Sequence, residues 1–254
     1  MRDRSLGIAA SIAASLALAA CVPSENLAPG KTPAEAATVN VQLAVAYMQL
    51  GKLAISRHFI ERALNQDPRD ASVQATAGVV FERLGEKDKA ENAYDEAARL
   101  GRKDPDVMNT YAGYLCRTGR AAQGEKVFRS VIDNPVYQTP EVAMVNAGVC
   151  LEGAGDDAGA QRYFDKALVV HPNLPEAMLE SGALALRLKD PAKAADIVAH
   201  YLDVNKPTAE ILWLGLRAER ALGKADAAAD YGQRLEKDFP TSKEARLMQA
   251  GITQ

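Results

Sequence analysis

The chain has 254 residues, a formal charge of −3 at pH 7 and 25% charged residues. This mildly acidic balance, without a basic run, argues against nucleic acid as a partner, because phosphate recognition needs clustered positive charge. Aromatics are only 6% while alanine is abundant, which suits closely stacked helices better than a sheet.

At the N-terminus, Arg2 and Arg4 precede roughly 15 apolar or small residues and the pair Ala19 and Ala20, the layout of a secretory signal peptide. The run falls short of the about 20 residues a bilayer span requires, and nothing later replaces it, so no transmembrane helix is expected in the mature chain. The stretch "LAAC", Leu18 to Cys21, resembles the lipobox of bacterial lipoproteins. That resemblance implies cleavage of residues 1–20 and acylation of the Cys21 thiol. A plain signal with an incidental cysteine is the alternative. Several acyl chains at about 0.8 kcal/mol per buried CH₂ anchor far better than one. In lipoproteins an Asp after the cysteine favours inner-membrane retention; here Val22 and Pro23 follow, which implies the outer membrane, on its periplasmic face. Residues 22–36, "VPSENLAPGKTPAEA", carry three prolines and little apolar content. With Cys21 they read as a flexible tether (21–36) of roughly 20 Å as a coil and about 50 Å when extended.

From residue 37 onward a fixed period governs the chain. Gly51, Gly85 and Gly119 are 34 apart, Gly155 follows after 36, and Gly223 lies 68 further on, with Lys189 where a glycine is missing. Six units fit: 37–70, 71–104, 105–140, 141–174, 175–208 and 209–242. This is tetratricopeptide repeat (TPR) spacing. Small residues such as Ala44, Gly78, Ala112 and Gly148 fall where two helices approach, and Phe128 and Phe164 fill the partner helix. Units five and six are weaker; Ala185 and Glu219 replace an aromatic, and Gly232 stands where a bulky residue is usual. Thr241 and Ser242 ahead of Glu244 predict a capping helix over 243–254. The expected fold is all-α: a right-handed TPR superhelix (α–α solenoid) of six repeats plus this cap.

Catalytic constellations are nearly absent. His58, His171 and His200 lie in or at the end of second helices of separate repeats, with no spacing that suggests a metal site or a triad, so no cofactor, metal or small-molecule substrate is expected, and the chain reads as a binding protein, not an enzyme. Cys116 and Cys150 sit in the first helices of repeats three and four. With Cys21 consumed by lipid, an even remainder in an oxidising compartment favours a bridge; two independent small core residues are the other reading.

TPR arrays receive peptides or helices on their concave face. Counting along the first helices places Val41, Val45 and Met48 there from repeat one, Val79 from repeat two, and Val145 and Val149 from repeat four. Clustered Val and Met predict an apolar partner segment. Charges of both signs, among them Glu82, Arg83, Arg117, Glu152 and Arg187, extend along the same face and read mostly as solvated. The Lys and Asn clamp of chaperone-type TPR proteins is not reproduced, since those places hold Val41 and Val45, Ala75 and Val79, or Asn109 and Gly113.

"VQLAVAYMQLGKLAISRHFIERALNQDP", "VMNTYAGYLCRTGR" and, most specifically, "DYGQRLEKDFP" near the end resemble the type IV pilus biogenesis lipoproteins of the PilF/PilW family, together with the lipobox, short tether, six repeats and closing helix. The resemblance implies a pilotin: a lipid-anchored adaptor that binds the pilus secretin and promotes its outer-membrane localisation and multimerisation. Two rivals remain: a TPR lipoprotein of another envelope machine, such as a tight-adherence pilus or outer-membrane barrel assembly, and a cell-wall enzyme using Glu82, Glu152 or Glu176.

Overall fold

The computed structural model describes residues 32–251; the signal segment, Cys21 and the first part of the tether lie outside the described residues. Thirteen helices follow one another with no strand among the described residues. Six helical hairpins are formed by α1 (Pro33–Gln49) with α2 (Leu53–Gln66), α3 (Ala71–Arg83) with α4 (Lys87–Leu100), and α5 (Pro105–Arg117) with α6 (Ala121–Ile132). They continue as α7 (Pro140–Gly153) with α8 (Asp157–Val170), α9 (Pro175–Arg187) with α10 (Pro191–Val204), and α11 (Ala209–Ala221) with α12 (Ala225–Asp238). Each hairpin stacks on the next, and the odd-numbered helices also pack on one another from α1 to α11, giving the expected solenoid. The last helix, α13 (Lys243–Gln249), lies against α11 and α12.

Helix starts are written in short polar residues. Asp70 Oδ1 accepts from the backbone N–H of Ser72 and Val73, Asp104 does the same for Asp106 and Val107, and Ser242 Oγ accepts from Ala245 N–H; such caps are worth about 1 kcal/mol each. The first start departs from the reading of 21–36 as tether. Thr32 and Glu35 form a reciprocal capping box and Pro33 takes the first helical position, so α1 begins at Pro33 and buries Ala36.

Within the first four hairpins a small residue on the first helix faces a large one 16 positions later on the second, and in the fifth Gly182 faces Ile197 of its own hairpin and Leu214 of the next. Ala44 and Ile60, Gly78 and Tyr94, Ala112 and Phe128, Gly148 and Phe164, and Gly182 and Val198 are all buried. A Cβ on Gly78 would lie 2.7 Å from the Tyr94 ring, and one on Gly148 would overlap Phe164. The sixth repeat exchanges the sizes. Leu216 takes the first-helix position, Gly232 the second, and a Cβ at Gly232 would meet Leu216 at 3.3 Å and Met248 of α13 at 3.1 Å. The bulky residue missing at 232 is thus supplied from the opposite helix.

The turn inside each hairpin needs a left-handed residue. Gly51, Gly85, Gly119, Gly155 and Gly223 adopt φ of +70°, +76°, +79°, +84° and +74°, and Lys189 holds the same turn at φ +64°. A left-handed side chain costs roughly 1–2 kcal/mol, and glycine's extra unfolded-state freedom returns roughly 0.5–1 kcal/mol of that. Lys189→Gly should therefore stabilise the protein by about 0.5–1 kcal/mol, while Gly155→Lys should destabilise it by a similar amount; thermal unfolding of the two variants against the parent measures both.

Candidate partner-binding groove

The odd-numbered helices line one face of the array. At its N-terminal end Val45, Met48 and Val79 come together with Ala75, Val107 and Thr110 around a small cavity of about 160 Å³. Val79 and Thr110 also border a larger cavity of about 980 Å³ over α3, α5 and α7, so the two form one groove. Two expected lining residues are placed elsewhere. Val41 does not line either cavity and packs half-buried against the core of the first two repeats, and Val145 is buried with Leu184. Their position points into the seam between repeats, where the neighbouring helix covers it. Val149 is 45% exposed and does line the larger cavity.

The charges on this face are largely paired rather than solvated. Arg117 on α5 reaches back one repeat to Glu82 on α3 in a two-pronged pair of 2.7 and 2.8 Å, and Tyr94 donates its hydroxyl to Glu82 at 2.7 Å. Further along, Arg187 on α9 bonds Glu152 on α7 and Asp157 on α8, each at 2.8 Å. Between these two pairs lies the sulfur contact. The Sγ atoms of Cys116 on α5 and Cys150 on α7 are joined, with Cα atoms 5.4 Å apart, well within the range a disulfide accepts. Glu82 to Arg117 and Glu152 to Arg187 each span 35 residues, and Cys116 to Cys150 spans 34. One lateral tie thus crosses each of three successive seams. The recurrence of Glu and Arg one repeat and one residue apart is a signal in the sequence that pairing, not solvation, should have been read from.

Burial would raise the Glu82 carboxyl, but the hydrogen bonds from Arg117 and Tyr94 outweigh it and hold the group below its ordinary value of 4.5. The same burial, with Glu82 as neighbour, pushes the Tyr94 hydroxyl well up. Glu180, half-buried near Glu152, is raised by burial and by that like charge.

His58 and His200 are exposed helix residues, and His171 is the exposed residue that follows the last turn of α8. Among the described residues no three His, Cys, Asp or Glu side chains are grouped as metal ligands, and no helix is long and apolar enough to cross a membrane.

Helical hairpins of this size, stacked through small and large residues around a concave face, define a class. A tetratricopeptide repeat profile matches residues 41–106 and 150–210, half of the chain, and the chain belongs to the tetratricopeptide repeat family. Within it the chain is a relative of type IV pilus biogenesis proteins. It is 27% identical over 236 residues to the type IV pilus assembly protein PilF of Pseudomonas aeruginosa, covering 92% of this chain and 94% of that one. The crystal structure of PilW, a type IV pilus biogenesis factor, superposes with a TM-score of 0.71 at 27% identity over 84% of this chain and 98% of PilW. The structure of P. aeruginosa PilF gives 0.64 at 26% identity over 86% and 99%.

Two measurements test the ties. Thiol titration of purified protein, denatured without reductant, should find Cys116 and Cys150 unreactive, and Cys116→Ser with Cys150→Ser should lower stability by about 3–4 kcal/mol in the chain-entropy account of a loop of this length. For Glu82, a lowered folded-state pKa contributes stability above 4.5 that is lost as pH falls through the lowered value. The stability advantage of the parent over Glu82→Gln, at most about 1 kcal/mol for a partly exposed pair, should begin to shrink as pH falls below 4.5 and disappear once the pH is below the lowered folded-state value, as read by acid-titrated urea unfolding.

Proposed function

We propose that this protein is an outer-membrane lipoprotein adaptor of the type IV pilus system, a pilotin that binds the secretin and promotes its localisation and multimerisation. The observation that carries the reading is likeness over nearly the whole chain, in sequence and in fold, to PilF and PilW, joined to a lipobox ending at Cys21. The chemistry is recognition. A lipid on Cys21 would hold the chain at the membrane on the periplasmic face, and the tether would keep the groove close to membrane-inserting partners, raising their effective concentration there.

The apolar end of the groove is the favoured contact for the secretin. Val45, Met48 and Val79 converge on one cavity, and an apolar segment seated there would be shielded from water. The cell-wall enzyme reading loses ground on the same face. Glu82, the carboxylate best placed in the groove, is locked in a two-pronged pair with Arg117 and held ionised, the opposite of what a general acid requires.

Cys21→Ser should leave a folded protein that is lost from outer-membrane fractions; recovery of the variant there would refute the anchor. Val45→Asp should weaken co-purification of the secretin by about tenfold or more, because it places a charge in an apolar contact, with helical content unchanged by circular dichroism. Unchanged secretin recovery would remove the apolar end of the groove from the binding surface. Loss of surface pili with normal barrel assembly in a deletion strain separates this function from that of another envelope machine.

A further inference from the structure

The wider half of the groove carries chemistry that an apolar segment would leave unused. Asn109 on α5 and Asn146 on α7 both line the larger cavity, and Asn146 Nδ2 donates to Asn109 Oδ1 at 3.2 Å. Each carboxamide has two N–H donors and an oxygen with two lone pairs, so this one bond leaves N–H groups on both residues and the Asn146 oxygen to serve a ligand. That remainder matches the C=O and N–H of a peptide group. We propose that the centre of the groove holds an extended, acidic peptide segment by its main chain, with Asn109 and Asn146 bonding a peptide group and Arg83 pairing with a carboxylate on the same segment.

Three further features favour an extended chain over a helix. A helix satisfies its own interior N–H and C=O groups, whereas a strand presents them, and only the strand has use for the paired carboxamides. Gly153 lines the same cavity with open space where a side chain would stand, which lets a backbone approach closely, whereas the space over Gly113 is taken by the Arg117 guanidinium. Val79 and Val149 border it, ready for side chains of the segment. A volume of about 980 Å³ lies at the upper end of what ligand pockets reach and accommodates several residues.

Charge selects the sign. Of the cavity's three charged residues, Glu82 and Arg117 neutralise each other in a two-pronged pair. Arg83 is exposed at the rim and makes no ion pair among the described residues, though its charge acts on Glu82 at longer range; the three charges leave a net single positive charge, suited to a carboxylate in a planar, charge-assisted pair. The adjoining sulfur tie between α5 and α7 holds the two asparagines in place before any ligand arrives, which reduces the ordering cost of binding.

This deepens the adaptor reading and rests on the groove being its recognition surface. The test applies the full chain to an array of short acetylated, amidated peptides in which the central residue of a Val-X-Val triplet is varied. Peptides with Asp or Glu at that place should bind about tenfold more tightly than those with Lys or Arg, and N-methylation of the central peptide groups should cost about tenfold. Asn109→Ala with Asn146→Ala should lose the same factor and become indifferent to N-methylation. Arg83→Glu should invert the preference toward Lys and Arg, a gain that a folding defect cannot produce. Absence of binding, absence of an acid preference, or binding that tolerates N-methylation would overturn the proposal. Secretin capture is measured in the same Asn109→Ala with Asn146→Ala variant: array binding lost with capture retained, or capture lost with array binding retained at the parent's level, tells failure of this proposal apart from failure of the adaptor reading.

Discussion

The structure depends on one packing constraint: at the closest approach of each hairpin, a small residue on one helix must meet a large one on the other. Ala44 with Ile60, Gly78 with Tyr94 and Gly148 with Phe164 meet it in the usual order, and Leu216 with Gly232 meets it in reverse. What is held constant is the summed volume, not the identity at either place, as expected for interiors packed to crystal-like density. The interlock sets the distance between helices in a hairpin and, through it, the surface each repeat offers to the next.

On that frame the groove divides by chemistry. At the N-terminal end Val45, Met48 and Val79 converge, with Ser72, Thr76 and Asp106 also on the lining; the centre adds Asn109, Asn146, Arg83 and the Glu82 and Arg117 pair to Val79 and Val149. The ion pairs themselves are modest stabilisers, since partly exposed pairs contribute little. Their larger effect is geometric, because each spans a seam and fixes the register of neighbouring first helices. A protein related to PilF and PilW in this family thus has a preformed surface with two kinds of contact along its length.

Much of this was legible in the sequence. The 34-residue period and its glycines predicted the hairpins, and Lys189, noted as the missing glycine, turns out to bear the same left-handed turn. The joined pair of Cys116 and Cys150 also lies across one seam. Orientation was harder. Val41 and Val145 were assigned to the groove by position within the repeat, but that position faces the seam, and its exposure depends on the bulk of the next repeat, which a repeat-by-repeat reading leaves out. The start of α1 was missed because Pro33 and the alanines after it resemble linker composition, while the deciding feature is the reciprocal bond between Thr32 and Glu35. The Asn109 and Asn146 pair spans 37 residues, longer than the period because the connection between repeats three and four is longer, and so escaped a search at fixed spacing.

The lateral ties join repeats two to three, three to four and four to five, and among the described residues no comparable groove-side tie links α1 to α3 or α9 to α11. In a stack whose units touch only their neighbours, cohesion is local, and the seams are held by different means: polar and sulfur ties in the middle, buried apolar clusters around Ile60 and Val80 toward the N-terminal end and around Leu212 and Leu216 toward the C-terminal end. The first helix, into which the segment from Cys21 leads, joins the array through the former cluster. A pull on that segment is therefore opposed chiefly by the cost of exposing nonpolar surface to water.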